Sequence, residues 1–251
     1  MNILITGASS GLGHALTLYY AKQDVNLFIC ARNSENLSNL KTLCKELKAN
    51  IFTKDLDVTD KGEVEVWIRK IEEDYEIDLA IANAGISAGT SGGVESDEQV
   101  RKIFDTNVNG VLNTIHPVIE GMQKRRSGQI AIISSLAGFR GLPSSPAYSA
   151  SKAAVKVYGE ALRGNLADFG IKVNVVCPGY VRTPMTDVND FYMPFLMSAD
   201  KAARKIATGI KKNKSRITFP FPLYFVVWLL SILPTGLTDK LFAKLPKKKS
   251  M

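Results

Sequence analysis

The sequence predicts an α/β fold, a single domain built on a doubly wound parallel sheet. Three observations carry that prediction. Short apolar runs alternate with stretches of helical period from Asn2 to about Pro178, the pattern of parallel βαβ units. The first run leads into a glycine-rich turn and then a helix-like stretch. At 251 residues the chain can bury a large core, and its 45% hydrophobic and 22% charged content is that of an ordinary globular protein.

The elements follow in order. NILIT is the first strand, GASSGLG the turn and HALTLYYAK the helix. Here Gly7 can turn sharply, Gly11 lets backbone approach a pyrophosphate, and Gly13 permits close helix packing. The helix N-terminus offers free N–H groups to phosphate. The spacing from Thr6 to Gly13 is TGxxxGxG rather than GxGxxG, and flanking by strand and helix favours a nucleotide loop over a plain turn. VNLFIC is the second strand, ending at Ala31-Arg32. At that position an acidic residue would bind a ribose 2′-hydroxyl and select NAD. A neutral Ala31 followed by Arg32 suits a 2′-phosphate, so NADP is expected over NAD. The alternative is a solvated loop arginine.

SENLSNLKTLCKELK is helical in period with Ser34 as its expected cap. NIFTKDLDV is a strand ending near Asp57, and TDKGEVEVWIRKIEEDY a helix capped by Thr59 or Asp60. IDLAIANAG is strand then turn and places Asn83-Ala84-Gly85 at a carboxyl end, where ligands bind in open α/β sheets. Residues 100–125 predict one long helix, with a kink or break at Pro117. Asn107 lies within it, readable as a surface or capping amide. His116 carries no expected role.

Tyr148 and Lys152 follow a strand that ends at Ser135. Four residues apart on a helix, they share one face, with Cβ atoms roughly 6 Å apart. An ammonium beside a phenol lowers its pKa from about 10 and suits it to proton transfer nearer neutrality. Two hydroxyls and a lysine, without a nucleophile–histidine pair, fit proton transfer better than acyl transfer. YxxxK alone also arises by chance between a surface aromatic and a solvated lysine.

Cys30, Cys44 and Cys177 form no CxxC or Cys/His cluster and are expected to be reduced thiols. With His14 and His116 the only histidines, no metal site is expected. A strand-like run from Asn2 without a basic leader argues against a signal peptide.

Together TGASSGLG, LDV (56–58), NAG (83–85), Asn107 in FDTNVNG, Ser135 in IISSLAG, YSASK and PGYVRT (178–183) resemble the short-chain dehydrogenase/reductase superfamily, of the roughly 250-residue type. They fall in the family's order over residues 1 to about 185. The resemblance implies a Rossmann-type domain and a catalytic tetrad of Asn107, Ser135, Tyr148 and Lys152. Tyr148 would be the general acid, and Ser135 would hold the same carbonyl oxygen. Lys152 would lower the Tyr148 pKa and bind the nicotinamide ribose, and Asn107 would hold a water. Cofactor contacts are implied at Gly7, Ser9, Ser10, Gly11, Leu12, Gly13, Arg32, Asp57, Val58, Asn83, Ala84, Gly85, Tyr148, Lys152, Pro178, Gly179, Val181 and Thr183. The resemblance further implies a small-molecule carbonyl or alcohol substrate and a homodimer or homotetramer. ANAG in place of the commoner NNAG is a minor departure.

By the same resemblance, residues from about 184 to 200 form a substrate lid. Met185, Phe191, Tyr192, Met193, Phe195, Leu196 and Met197 make it apolar, which suits a hydrophobic substrate or else a lid that packs on its own core. Ser198 is the expected cap of the next helix, with Asp200 in its first turn. The Rossmann-type domain is expected to run from 1 to 216 and an apolar, basic extension from 217 to 251. Residues 201–251 hold 12 Lys/Arg against Asp239 alone, whereas residues 1–200 hold 20 against 23 Asp/Glu, so the net charge of +8 resides in the tail. The uncharged run 221–233 would span about 20 Å as a helix, too little for a hydrocarbon core of about 30 Å. With lysines on both sides it suits an anionic membrane surface, or an interface or active-site cover. Nucleic-acid binding is not expected, because stacking aromatics interleaved with the lysines are missing. The chain is thus expected to be an NADP(H)-dependent oxidoreductase acting on C=O or CH–OH, in the cytoplasm or peripheral at the inner face of a membrane. The alternative is a catalytically silent NADP-binding regulator.

Overall fold

The apolar runs become the strands of one sheet. A computed structural model describes residues 1–242 and 248–250; the rest of the expected 217–251 extension lies outside the described residues. Strands β1 (Asn2–Thr6), β2 (Asn26–Ala31), β3 (Asn50–Asp55), β4 (Leu79–Ala82), β5 (Gly128–Ile133) and β6 (Ile171–Pro178) alternate with helices α1 (Gly11–Ala21), α2 (Ser34–Leu43), α3 (Lys61–Asp74), α4 (Asp97–Phe104), α5 (Gly110–Arg125) and α6 (Pro146–Asn165). Two-residue strands β7 (Val181–Arg182) and β8 (Met197–Ser198) bracket the short α7 (Pro184–Asp187). Then come α8 (Ala199–Lys211), β9 (Arg216–Phe219), α9 (Phe221–Ile232) and α10 (Thr235–Phe242).

The main sheet has the order β3-β2-β1-β4-β5-β6-β9, with every neighbouring pair parallel. Its central strands are buried on both faces, hence their unbroken Ile, Leu, Val and Ala runs. One face packs on α1, α2 and α8 through residues such as Leu16, Leu37 and Ile206. The other packs on α3, α5 and α6 through Ile68, Ile115 and Val155. The order reverses between β1 and β4, which opens a crevice at their carboxyl ends. Cys30, Cys44 and Cys177 are all buried as free thiols.

Several local expectations change. Asn33, not Ser34, caps α2, its side chain accepting from Asn36 N at 2.8 Å. Asp60 caps α3 through Glu63 N at 2.9 Å, while Ser198 caps α8 as expected. The long helix at 100–125 is interrupted, but not at Pro117, which sits inside α5. The irregularity is a π-helical turn, Asp105–Asn109, centred on Asn107. A π turn is a recurrent way of re-aiming one residue inside a helix. Strand β9 runs to Phe219 and pairs Ile217 with Val176, so the sheet continues past the boundary expected at 216.

Helix α6 reaches the sheet because Gly159 has no side chain. A Cβ there would lie 2.7 Å from Val175 Cγ2 and 3.0 Å from Ile132 Cδ1, both fully buried residues. Gly159→Ala is therefore expected to cost about 1–3 kcal/mol by overpacking. The check is a lower urea midpoint at unchanged m-value; an equal or higher midpoint would count against this packing.

Candidate active site

A cavity of about 460 Å³ lies in the crevice. Its floor is the turn between β1 and α1. Gly7 and Gly11 have φ of +67° and +55°, which glycine adopts without strain. The turn is pressed against the end of β4, since a Cβ on Gly7 would fall 2.7 Å from Ala84 Cα. Asn83 clamps it by donating from Nδ2 to Thr6 O at 2.9 Å and Gly7 O at 3.1 Å. Thr6 Oγ1 in turn accepts from Asn83 N and Ala84 N. Ser10 caps α1 in an extended conformation without a side-chain hydrogen bond. No acidic residue occupies the first turn of α1. The N–H groups and positive dipole end of α1 are thus left for an anion.

Of the residues expected to contact cofactor, all but Gly13 line this cavity. Gly13 lies behind the turn, where a Cβ would meet Gly7 O at 2.2 Å, so its requirement is close packing. At the far edge, Arg32 lines the cavity and pairs loosely with Asp57, Nη1 to Oδ2 at 3.6 Å. Burial alone would raise the Asp57 carboxyl; hydrogen bonds from Thr59 and the Arg32 charge outweigh it and hold the carboxyl below its usual range.

At the inner end the expected tetrad assembles from three segments. Ser135 lies two residues past β5 in extended backbone and caps a short 3₁₀ turn, Oγ accepting from Ala137 N at 3.1 Å. Tyr148 lies in the first turn of α6 and faces Ser135. Burial raises its phenol, and the nearby Ser135 hydroxyl opposes that rise. Lys152, one turn on, is 4% exposed, and its Nζ donates to Ile133 O at 3.0 Å. That Nζ is 5.9 Å from the centre of the Tyr148 ring. In this structure desolvation, not Lys152, dominates the Tyr148 phenol, contrary to the lowering expected from the spacing. Desolvation also acts on Lys152 itself, bringing it down to about 8, with Cys177 a smaller opposing influence.

Asn107 is fully buried rather than a surface amide. Its Oδ1 accepts from Ile86 N at 2.8 Å, and its Nδ2 donates to Ile86 O at 2.9 Å and Ser151 Oγ at 3.0 Å. Gly85 lets these groups converge: a Cβ there would lie 3.1 Å from Asn107 Oδ1 and 3.2 Å from Lys152 Nζ.

Supporting residues were not evident from the sequence. Ser134 Oγ donates to Lys152 O at 2.7 Å. Ser151 Oγ donates to Tyr148 O at 2.8 Å. Glu95 Oε2 accepts from Ala147 N at 2.9 Å, placing a carboxylate at the α6 N-terminus. Ser134 and Ser151 adjoin expected residues, which is a weak signal; Glu95 had none. Among the described residues no group of acidic, His and Cys side chains could hold a metal.

A doubly wound parallel sheet with a glycine turn at its switch point and a Ser–Tyr–Lys group beside it defines a dinucleotide-dependent oxidoreductase. Comparison with known proteins narrows the class. Residues 1–190 match the family short chain dehydrogenase, and the chain belongs to the short-chain dehydrogenase/reductase family. An uncharacterized oxidoreductase of Myxococcus xanthus is 37% identical over 237 residues, 94% of each chain. The structure of an actinorhodin polyketide ketoreductase variant with NADPH has a TM-score of 0.78 at 28% identity, covering 89% of this chain and 97% of that one. A 3-oxoacyl-[acyl-carrier protein] reductase from Brucella melitensis with bound NAD has a TM-score of 0.74 at 26% identity, covering 86% and 87%.

The folded chain lowers the pKa of Lys152, so the unfolded chain holds the extra proton between about pH 8 and 10.5. The cost of burying the charge is fully present below about pH 8 and fades as pH rises through that window. Lys152→Met is therefore expected to be more stable at pH 7 by roughly 1–3 kcal/mol while losing turnover. Denaturation at pH 7 and above pH 10 checks this: the gap should close at the higher pH, and a less stable variant at pH 7 would refute it.

Proposed function

We propose that the protein reduces a carbonyl, or oxidises the corresponding secondary alcohol, with NADP(H). The observation that carries this reading is the convergence of Ser135, Tyr148 and Lys152 at one end of a cavity whose other end is an uncapped helix N-terminus. The nicotinamide cofactor would supply the hydride. The glycine turn and α1 would hold its pyrophosphate, and Arg32 would pair with a 2′-phosphate. Tyr148 would deliver the proton to the substrate oxygen, with Ser135 holding that oxygen. Lys152 would stabilise the phenolate left behind, and Asn107 would fix the Ile86 backbone beside it. A silent regulator would have no use for the buried ammonium or for Tyr148 set beside Ser135.

A hydrophobic substrate is supported by the lid. Tyr192 is 85% and Phe195 55% exposed, so the lid does not simply pack on its own core. Met185 lines the cavity, adding an apolar side chain of the lid to its wall. Tyr148→Phe is expected to keep NADPH binding and lose at least 100-fold in kcat. Arg32→Ala should raise the KM for NADPH about tenfold and leave NADH nearly unchanged. Steady-state assays over acyl-chain ketones, sterols, sugars and quinones with each cofactor test both; equal turnover by Tyr148→Phe would defeat the assignment.

Peripheral membrane association is a second reading, favoured by α9. It has no fully buried residue and exposes Phe221, Phe225, Val226, Leu229 and Ile232. Beside β9 lies a basic groove lined by Lys201, Arg204, Lys205, Lys212 and Lys214. Apolar residues near a cationic surface suit anionic lipid, at about 1 kcal/mol per basic residue. Among the described residues no helix is long and apolar enough to cross a membrane. The full chain should sediment with phosphatidylserine vesicles and not with phosphatidylcholine alone, and Phe225→Ser with Trp228→Ser should abolish this. Unchanged sedimentation of the double variant would rule the reading out.

A further inference from the structure

The segment 248–250 runs beside Tyr148, between the loop after β4 and the lid. On one side it pairs with the loop after β4. There Gly89 N donates to Lys249 O at 2.6 Å, Ser91 N to Lys248 O at 2.8 Å, and Ser250 N to Ser91 Oγ at 2.7 Å. On the other side Lys249 Nζ reaches Asp190 Oδ2 of the lid at 3.5 Å. Gly89 admits the segment because a Cβ there would fall 2.4 Å from Lys248 O. The Gly89 carbonyl is itself fixed by Gln99 Nε2 at 3.0 Å. The segment is therefore seated in a shaped groove and bridges both walls.

Its one inward side chain is Lys248. The Nζ donates to Ser87 Oγ and stands 5.2 Å from the centre of the Tyr148 ring. Among the described residues it meets no carboxylate. An ammonium has three donors, and a desolvated one without a counter-ion is costly. Desolvation lowers the pKa of Lys248 to about 8, which an anion beside it would oppose. Ser135 and Lys152 have partners of their own and make no hydrogen bond to it.

We propose that Lys248 is a specificity-determining residue that binds a carboxylate of the substrate. The substrate class is then an oxo acid, or the matching hydroxy acid, whose carboxylate lies a few bonds from the carbon that reacts at Tyr148. This rests on the reductase reading above and narrows it: the apolar lid takes the chain of the acid, and Lys248 takes its charged end. A charge-assisted hydrogen bond at that distance from the reacting centre also fixes which carbonyl of a longer molecule meets Tyr148.

The test uses the full chain, NADPH and a matched pair of substrates, a medium-chain 3-oxo acid and its methyl ester. The native protein should prefer the acid. In Lys248→Met the acid-to-ester ratio of kcat/KM should fall at least tenfold, and Lys248→Arg should keep most of the preference. Gly89→Val, which unseats the segment without altering Lys248, should mimic Lys248→Met. Calorimetric titration with the saturated acid in the presence of NADP⁺ reads the cation without turnover and should show a matching loss of affinity in Lys248→Met. An unchanged ratio, equal losses on both substrates, or faster turnover of both in Gly89→Val would overturn the proposal, the last showing the segment to be a plug. Tight, Lys248-dependent binding of the acid with no reduction of either substrate would instead overturn the reductase reading and leave this site standing.

Discussion

The structure depends on keeping one ammonium dry. Lys152 is nearly sealed from solvent, and a carbonyl of β5 is its hydrogen-bond partner. Charges in such places are tolerated only where the surroundings are held rigidly around them. Gly85 must lack a side chain so that the loop after β4 can approach the ammonium. Ser134 fixes the backbone of Lys152 from the end of β5. Gly138 lets the 3₁₀ turn rest on the same stretch, since a Cβ there would lie 2.8 Å from the Lys152 carbonyl. Gly159 then brings the rest of α6 down onto the sheet. One desolvated charge thereby constrains four separate pieces of chain.

The glycine turn obeys a similar logic with the opposite sign. There the protein withholds groups rather than supplying them. Ser10 leaves the first amides of α1 without a side-chain partner, and Asn83 stops the turn from relaxing toward them. The two halves of the crevice are complementary. One leaves helix donors without side-chain partners, and the other gathers a cation and two hydroxyls.

Most of this architecture was legible in the sequence, for a physical reason. Parallel strands buried on both faces are written as unbroken apolar runs, and helices as periodic ones, so the alternation of β1 through β6 shows directly. Glycines at Gly7 and Gly11 and the Tyr148–Lys152 spacing are local signals. What the sequence hid was long-range or compensated locally. Pro117 is tolerated inside α5, so its helix-breaking signal misled, while the π turn at Asn107 has no compositional mark. Strand β9 is four residues long and alternates in burial, a pattern too short to separate from a loop. The apolar run after it was plain, but not that Leu223 and Tyr224 pack onto the Leu136–Val175–Cys177 cluster. The raised Tyr148 phenol could not be read from the Tyr148–Lys152 spacing, because burial and neighbouring charge compete and the fold sets which prevails.

The three thiols have one more consequence. Cys30 and Cys177 sit on strands near either side of the crevice and are wholly enclosed, with burial holding both well above the usual thiol range, at about 12. Thiolate, the reactive form, is scarce there at neutral pH. Any alkylating or oxidising agent must therefore wait for the strands to part, and the chain carries its own clock for opening. The speed at which these sulfurs react under native conditions measures how often the β2 and β6 regions separately come apart. No label or probe has to be introduced into the crevice they flank.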